Sequence, residues 1–117
     1  MTATANELEL IKKKIDTLRD TIKNLEKLYN KAAARGVEGT LDLADEIERL
    51  GDLQFKLWRR KTEIVVNSPE WKDLLAGLKA VNDEIEKELE GLVRVVDVVK
   101  KATQLAKVAS IVLGAVG

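Results

Sequence analysis

An uninterrupted heptad pattern in the first third of the chain constrains its fold more than any other feature. The apolar or small side chains recur in steps that alternate between three and four residues, at Leu8, Ile11, Ile15, Leu18, Ile22, Leu25, Tyr29 and Ala32. Sustained over this length, the spacing is typical of an α-helix that packs along one narrow face. It predicts a first helix over residues 6–35, which Gly36 would end by adopting a left-handed backbone conformation.

A short loop separates this helix from a second one. The loop of residues 36–39 is short enough to predict antiparallel neighbours. Thr40 is a good N-cap, and we predict a helix over residues 40–66 that begins there. The apolar side chains of this segment spread over an arc of roughly 200°, so we expect the helix to pack against two neighbours.

The strongest break in the pattern lies at residues 67–70. Ser68 has the side chain of an N-cap, and Pro69 would occupy the first helical position, where its missing N–H costs nothing. Beyond it, no Pro, Asn-Gly pair or cap interrupts the pattern, and we predict a third helix over residues 69–114. Gly91 before a valine-rich run favours a kink over a turn. Asn82 lies at a core-type position, where a polar residue can set the register.

Together these elements predict an all-α fold, a three-helix antiparallel bundle of coiled-coil character forming a single helical domain over residues 1–117. The third helix, of about 46 residues, would exceed the first by about 24 Å, so its apolar C-terminal extension must overhang or fold back. We predict the following core residues: Ile15, Leu18, Ile22, Leu50, Leu57, Leu78, Ile85 and Leu89.

The C-terminal extension, residues 102–117, is the segment that fits this bundle least. Lys107 is its only charged residue, and small residues recur every four positions at 102, 106, 110 and 114, a spacing that permits close helix contact. The candidate interaction residues are therefore Ala102, Leu105, Ala106, Ser110, Ile111, Leu113 and Gly114.

Three interpretations of the extension remain open. It packs on other copies or folds back, it meets a membrane with Lys100 and Lys101 at the headgroups, or it contacts a part missing from a fragment. A membrane span is disfavoured because about 16 residues with an internal lysine fall short of the usual 20 or so.

The composition excludes several chemistries. The chain has neither cysteine nor histidine, which removes thiol catalysis, serine–histidine arrangements and the common zinc sites. It lacks a glycine-rich phosphate loop. We therefore expect no enzyme, no catalytic residues, no cofactor and no metal site. The 20 basic and 20 acidic residues balance, which argues against a nucleic-acid partner because phosphate binding needs a basic excess.

These patterns predict a non-enzymatic helical interaction module that self-associates through apolar helix faces, its partner being a second copy or another helical protein. The alternative is a membrane-associated or membrane-active protein that uses residues 102–117. A cytoplasmic location is the default, because residues 1–9 are polar and unlike a signal peptide. We expect the aromatic residues to close one end of the core, or alternatively to anchor a partner: Tyr29, Phe55, Trp58 and Trp71.

Overall fold

The computed structural model describes residues 4–91 and 95–115, and the fold is all-helical, as predicted. Its four helices are α1 (Ala5–Arg35), α2 (Thr40–Arg59), α3 (Pro69–Gly91) and α4 (Val95–Ala115), with a short 3-10 helix at Lys61–Glu63. The prediction of three helices is wrong, because the segment predicted as one helix over 69–114 forms both α3 and α4.

The ends of α1 follow from local chemistry. The Thr4 side chain accepts a hydrogen bond from the Glu7 backbone N–H, and the Glu7 carboxylate accepts one from the Thr4 backbone N–H, which satisfies two free donors of the first turn. Gly36 ends the helix in the left-handed region, with φ 64°. The predicted boundaries of this helix are confirmed to within a residue.

Helix α2 differs from its prediction at both ends. Gly39, with φ 92°, occupies the N-cap position that we expected for Thr40, and the Thr40 hydroxyl instead donates to the Val37 carbonyl. The helix ends at Arg59 and not at 66. Beyond it Ile64 has an extended backbone and is buried.

At the start of α3 the predicted cap is present. The Ser68 hydroxyl accepts a hydrogen bond of 3.2 Å from the Trp71 backbone N–H and donates to the Val65 carbonyl. Pro69 is the first helical residue. This confirms the break between the second and third segments.

The four helices surround one core in the order α1, α2, α4, α3. Within the described residues each helix packs against its two neighbours in this order, while α1 and α4, like α2 and α3, lie diagonally opposite. The position of α2 between α1 and α4 matches the two neighbours that its wide apolar arc predicts. The connection from α2 to α3 therefore crosses one end of the molecule, where Ile64 is 1% exposed.

Helix α4 folds back along α3. Gly77 of α3 faces the backbone and side chain of Leu105 and the side chain of Val108, so the two helices approach closely there. Val95 and Val96 lie against Gly39 at the start of α2, whereas Val112 and Ala115 share a cleft with Ile64 and Ser68 at the opposite end of the molecule. Helix α4 consequently runs parallel to α2 and antiparallel to α3.

The core contains seven of the eight side chains that the sequence predicts, and the eighth, Leu89, lies outside the described side chains.

The polar residue that the sequence predicts at a core-type position of α3 also lies where it is expected. Asn82 is half-buried, and its Oδ1 lies 2.8 Å from the hydroxyl of the buried Thr21 on α1, which donates to it. This bond is position-specific, because a shift of α3 along α1 would leave Thr21 facing an apolar side chain.

Candidate interaction surfaces

The C-terminal residues singled out in the sequence are divided between the interior and the surface. Ala102, Leu105 and Ala106 are buried among the helices, and Leu113 packs against the core while partly exposed. Ser110, Ile111 and Gly114 are exposed. The helix buries a different stripe from the one expected, made of Val95, Val98, Ala102, Leu105, Ala106, Ala109 and Val112.

This arrangement changes what α4 can offer to another molecule. Leu105 and Val112, two of its largest apolar side chains, are already covered by the same chain. Ile111 and Val96 are exceptions, being 55% and 40% exposed. In the described part of the chain, no helix is long and apolar enough to cross a membrane.

A second surface, which sequence reasoning did not identify, lies between α1 and α2. Asp16, Arg19, Gln54, Phe55 and Trp58 line a cleft of about 220 Å³, which we call the aromatic cleft. Phe55 is 57% exposed there, so the expectation that it helps to close the core is wrong. The sequence does contain a signal, because Phe55 falls off the three–four spacing of the buried α2 residues Leu43, Glu46, Leu50, Leu53 and Leu57.

Cations lie over both aromatic rings of this region. The Arg59 guanidinium is 5.7 Å from the centre of the Phe55 ring, and the Lys61 ammonium is 4.4 Å from the Trp58 ring. Lys61 also donates to the Trp58 carbonyl at the end of α2. Trp58 itself is partly buried against the core, so it holds the inner wall of the cleft while Phe55 projects from its rim.

The other aromatic residues are structural. Trp71 is 2% exposed at the start of α3 and Tyr29 packs against the core, both as expected. The exposed apolar side chains therefore stand out: Leu10, Leu41, Phe55, Val65, Val96 and Ile111. Leu41 is the most exposed of these, at 79%, and it lies on α2 fourteen residues before Phe55.

Ionisable groups at the surface act mainly as helix-stabilising pairs. Arg60 donates to Glu63 at 2.7 Å, which lowers the pKa of the Glu63 carboxyl and raises that of the guanidinium. Lys79 and Asp83 form a similar pair on α3, where the Lys79 ammonium donates a hydrogen bond to the Asp83 carboxylate and the pKa of Lys79 is raised by it. No group of three or more acidic side chains that could hold a metal ion occurs within the described residues.

One acidic side chain is buried. Glu46 is 7% exposed on α2, and one of its oxygens lies 3.5 Å from the Arg49 guanidinium while the other has no hydrogen-bond partner. Its position in the buried stripe of α2 explains the burial. Burying a carboxylate at this position costs free energy, and the carboxylate makes no apolar packing contacts that would offset the cost.

A polar groove lies between α1 and α3. Thr17, Thr21 and Asn24 line one wall, and Asn82 and Glu86 line the other. Both of its hydroxyl groups are already engaged: that of Thr17 donates to the Lys13 carbonyl, and that of Thr21 lies within hydrogen-bond distance of Asn82 Oδ1 and the Thr17 carbonyl. The groove therefore offers less unused binding capacity than the exposed side of α2.

Comparison of the chain with protein-family models, curated protein sequences and solved structures found no match to any of them.

Proposed function

We propose that the chain is a non-enzymatic helical assembly module that self-associates through the exposed side of α2. The observation that carries the proposal is Phe55, a large aromatic side chain that projects from the rim of the aromatic cleft with Arg59 stacked on its ring. Exposed aromatic and arginine side chains beside a cleft are the residue types that dominate the energetics of protein interfaces.

Leu41 supports the same surface. It lies on the same side of α2 as Phe55, because fourteen residues return a helix to within about 40° of the same direction. Its side chain is 79% exposed. Two large apolar side chains on one side of a single helix offer apolar area that the fold of the chain itself leaves uncovered.

Self-association through α2 differs from association through α4, which the sequence alone favours. The buried apolar residues of α4, Leu105 and Val112 among them, contribute to the core of the same chain, so a contact through them would require α4 to leave the fold. The exposed side of α2 is available without any rearrangement. A second copy presents the same side chains, which lets one patch serve both partners about a twofold axis.

The experiment is sedimentation of the wild-type chain and of Phe55→Ser over concentrations from about 1 to 100 µM, the range of weak to moderate association. We expect the wild-type mass to rise above the monomer mass of 13.0 kDa with concentration, and Phe55→Ser to remain monomeric. The matched control is Leu10→Ser on α1, which removes a side chain of similar exposure, 53%, away from α2.

The outcomes separate cleanly because Phe55 and Leu10 are exposed and neither substitution empties the core. A wild-type chain that stays monomeric over the whole range would rule the proposal out. Equal loss of association in both variants would place the contact elsewhere. Unchanged thermal unfolding of the two variants shows that any loss of association is not a loss of fold.

A further inference from the structure

The exposed side of α2 carries a charge order that suits a second copy of itself. The residues at positions 42, 45, 49, 52, 56 and 59 follow steps of three and four, so they form one stripe along the helix. We call it the α2 outer stripe, and every member is exposed: Asp42, Asp45, Arg49, Asp52, Lys56 and Arg59. Leu41 and Phe55 lie along its edge, each one turn before a stripe residue.

Read from the start of α2, the stripe has the signs minus, minus, plus, minus, plus, plus. Reversing the direction of this series gives the opposite sign at every position. Two stripes laid antiparallel therefore place Asp42 opposite Arg59, Asp45 opposite Lys56, and Arg49 opposite Asp52. Twofold symmetry repeats each of these pairs, so all twelve charges of the two stripes face an opposite charge.

We infer that two copies of this chain pair antiparallel along the α2 outer stripe, an inference that rests on the proposed self-association and specifies its geometry. A parallel pair would set each charge against its own copy, which is repulsive at all six positions. The charges thus select the antiparallel orientation, as charged flanks do between helices elsewhere.

Apolar and charged groups have different roles in this pairing, because they contribute different amounts to its affinity. An exposed ion pair changes a dissociation constant by only about 1.4- to fivefold. The affinity therefore has to come chiefly from Leu41 and Phe55, whereas the charges penalise wrong orientations. Reversing two charges of the stripe converts four attractive contacts of the pair into repulsive ones.

The charge order also has an explanation within a single chain. Acidic residues near the start of a helix and basic residues near its end stabilise it through the helix dipole. This accounts for Asp42, Lys56 and Arg59, which lie in the first and last turns. The dipole does not account for Asp52 in the middle, whereas Arg49 lies 3.5 Å from Glu46 of its own helix. Charge reversal separates the pairing of two copies from these explanations within one chain.

The test uses charge reversal in three variants, measured by sedimentation equilibrium. Asp42→Lys with Asp45→Lys should raise the dimer dissociation constant by at least about tenfold, as should Lys56→Glu with Arg59→Glu. The quadruple variant that carries all four changes restores opposite charges in the antiparallel pair. Its dissociation constant should return to within about threefold of the wild-type value, a difference no larger than one exposed ion pair can contribute.

If the charges served only to stabilise α2 through the helix dipole, the quadruple variant would behave differently. Its four charges would all oppose the dipole, so it would be the least stable variant and would not recover association. The control, Lys23→Glu with Lys27→Glu on the exposed side of α1, makes the same change in net charge as Lys56→Glu with Arg59→Glu. It should leave the dissociation constant unchanged.

Failure of this inference is distinguishable from failure of the proposed function. A wild-type dimer that tolerates both double reversals, or a quadruple variant that stays dissociated, overturns the antiparallel stripe and leaves self-association standing. A wild-type chain that never associates overturns both. Helical content and melting temperature, recorded for each variant by circular dichroism, identify any variant that has simply unfolded.

Discussion

At the scale of single residues, the helix ends show how far local chemistry reaches. Ser68 and Gly36 act as the sequence predicts. A serine before proline is well suited to cap a helix, and a glycine after the last turn can adopt the left-handed conformation that ends one. Thr40 was predicted with the same logic and is displaced by one residue. Gly39 takes the cap because it can adopt φ 92°, a conformation in which it also meets Val95 and Val96 of α4. That contact is tertiary, so no local pattern contains it.

The capping box at the start of α1 leads to a prediction about pH. Hydrogen bonds from the Thr4 backbone and hydroxyl groups lower the pKa of the Glu7 carboxyl. A lowered folded-state pKa means that this group stabilises the helix above its ordinary pKa, and that the contribution disappears as the pH falls through the lowered value. We expect an NMR titration to place the Glu7 midpoint below that of an unfolded peptide.

The control for this titration is Thr4→Ala, which removes the hydroxyl but keeps the backbone donor. The Glu7 midpoint should then move upward, although not fully to the peptide value, because the backbone N–H is the larger cause of the shift. A Glu7 midpoint equal to that of the peptide in the wild type would contradict the capping box.

At the scale of elements, the sequence predicts the existence of helices better than their number. Between α3 and α4 the sequence favours a kink over a turn, because residues 91–95 contain no proline, no Asn-Gly pair and no cap. What decides it is burial far along the chain. With α4 folded back, Ala102, Leu105 and Ala109 complete a core that α1, α2 and α3 would leave open on one side. Only the excess length of the predicted third helix hinted at this outcome.

Gly77 provides a prediction at this scale. A Cβ at Gly77 would lie 3.5 Å from the Leu105 and Val108 side chains, an ordinary contact distance. Gly77→Ala should therefore fit, and its better helix propensity should raise the free energy of unfolding by up to about 1 kcal/mol. Gly77→Leu should lower it by about 1–3 kcal/mol, because a larger side chain forces α3 and α4 apart.

Gly51 of α2 is the matched control for both substitutions. A Cβ there meets no atom within 4 Å, so Gly51→Ala should stabilise the chain for the same reason as Gly77→Ala. Gly51→Leu should differ from Gly77→Leu by causing no large loss. Urea denaturation of the four variants measures these differences. Equal effects of leucine at both positions would show that α3 and α4 do not approach closely at Gly77.

At the scale of the whole molecule, the distribution of apolar groups determines what can be predicted about function. The sequence offers more apolar surface than three helices can cover, and this excess suggested association through the C-terminal segment. Helix α4 buries most of this apolar surface in the core of the single chain. The apolar excess is therefore used in folding and does not by itself indicate association. The remaining candidate, the side of α2 that holds Leu41 and Phe55, depends on which side of α2 faces inward, and this is set only once α1 and α4 flank it.

The last prediction follows from the contribution of α4 to the single core. Removal of residues 102–117 deletes the buried side chains Leu105 and Val112 together with three buried alanines, and it uncovers the core faces of α2 and α3. Losing one large buried side chain costs about 2–5 kcal/mol, and a small domain has only about 5–15 kcal/mol in total. We therefore expect the shortened chain to lose cooperative thermal unfolding, measured by circular dichroism.

The matched control for this deletion is Ile111→Ser within the same segment. Ile111 is 55% exposed, so its replacement removes an apolar side chain from α4 without opening the core, and the melting temperature should stay within a few degrees of the wild type. If residues 102–117 instead formed a surface used only between molecules, their deletion would leave a smaller, more soluble chain with unchanged unfolding. That result would separate α4 from the core and reopen it as the site of self-association, because the contact would then lie outside the fold of the single chain.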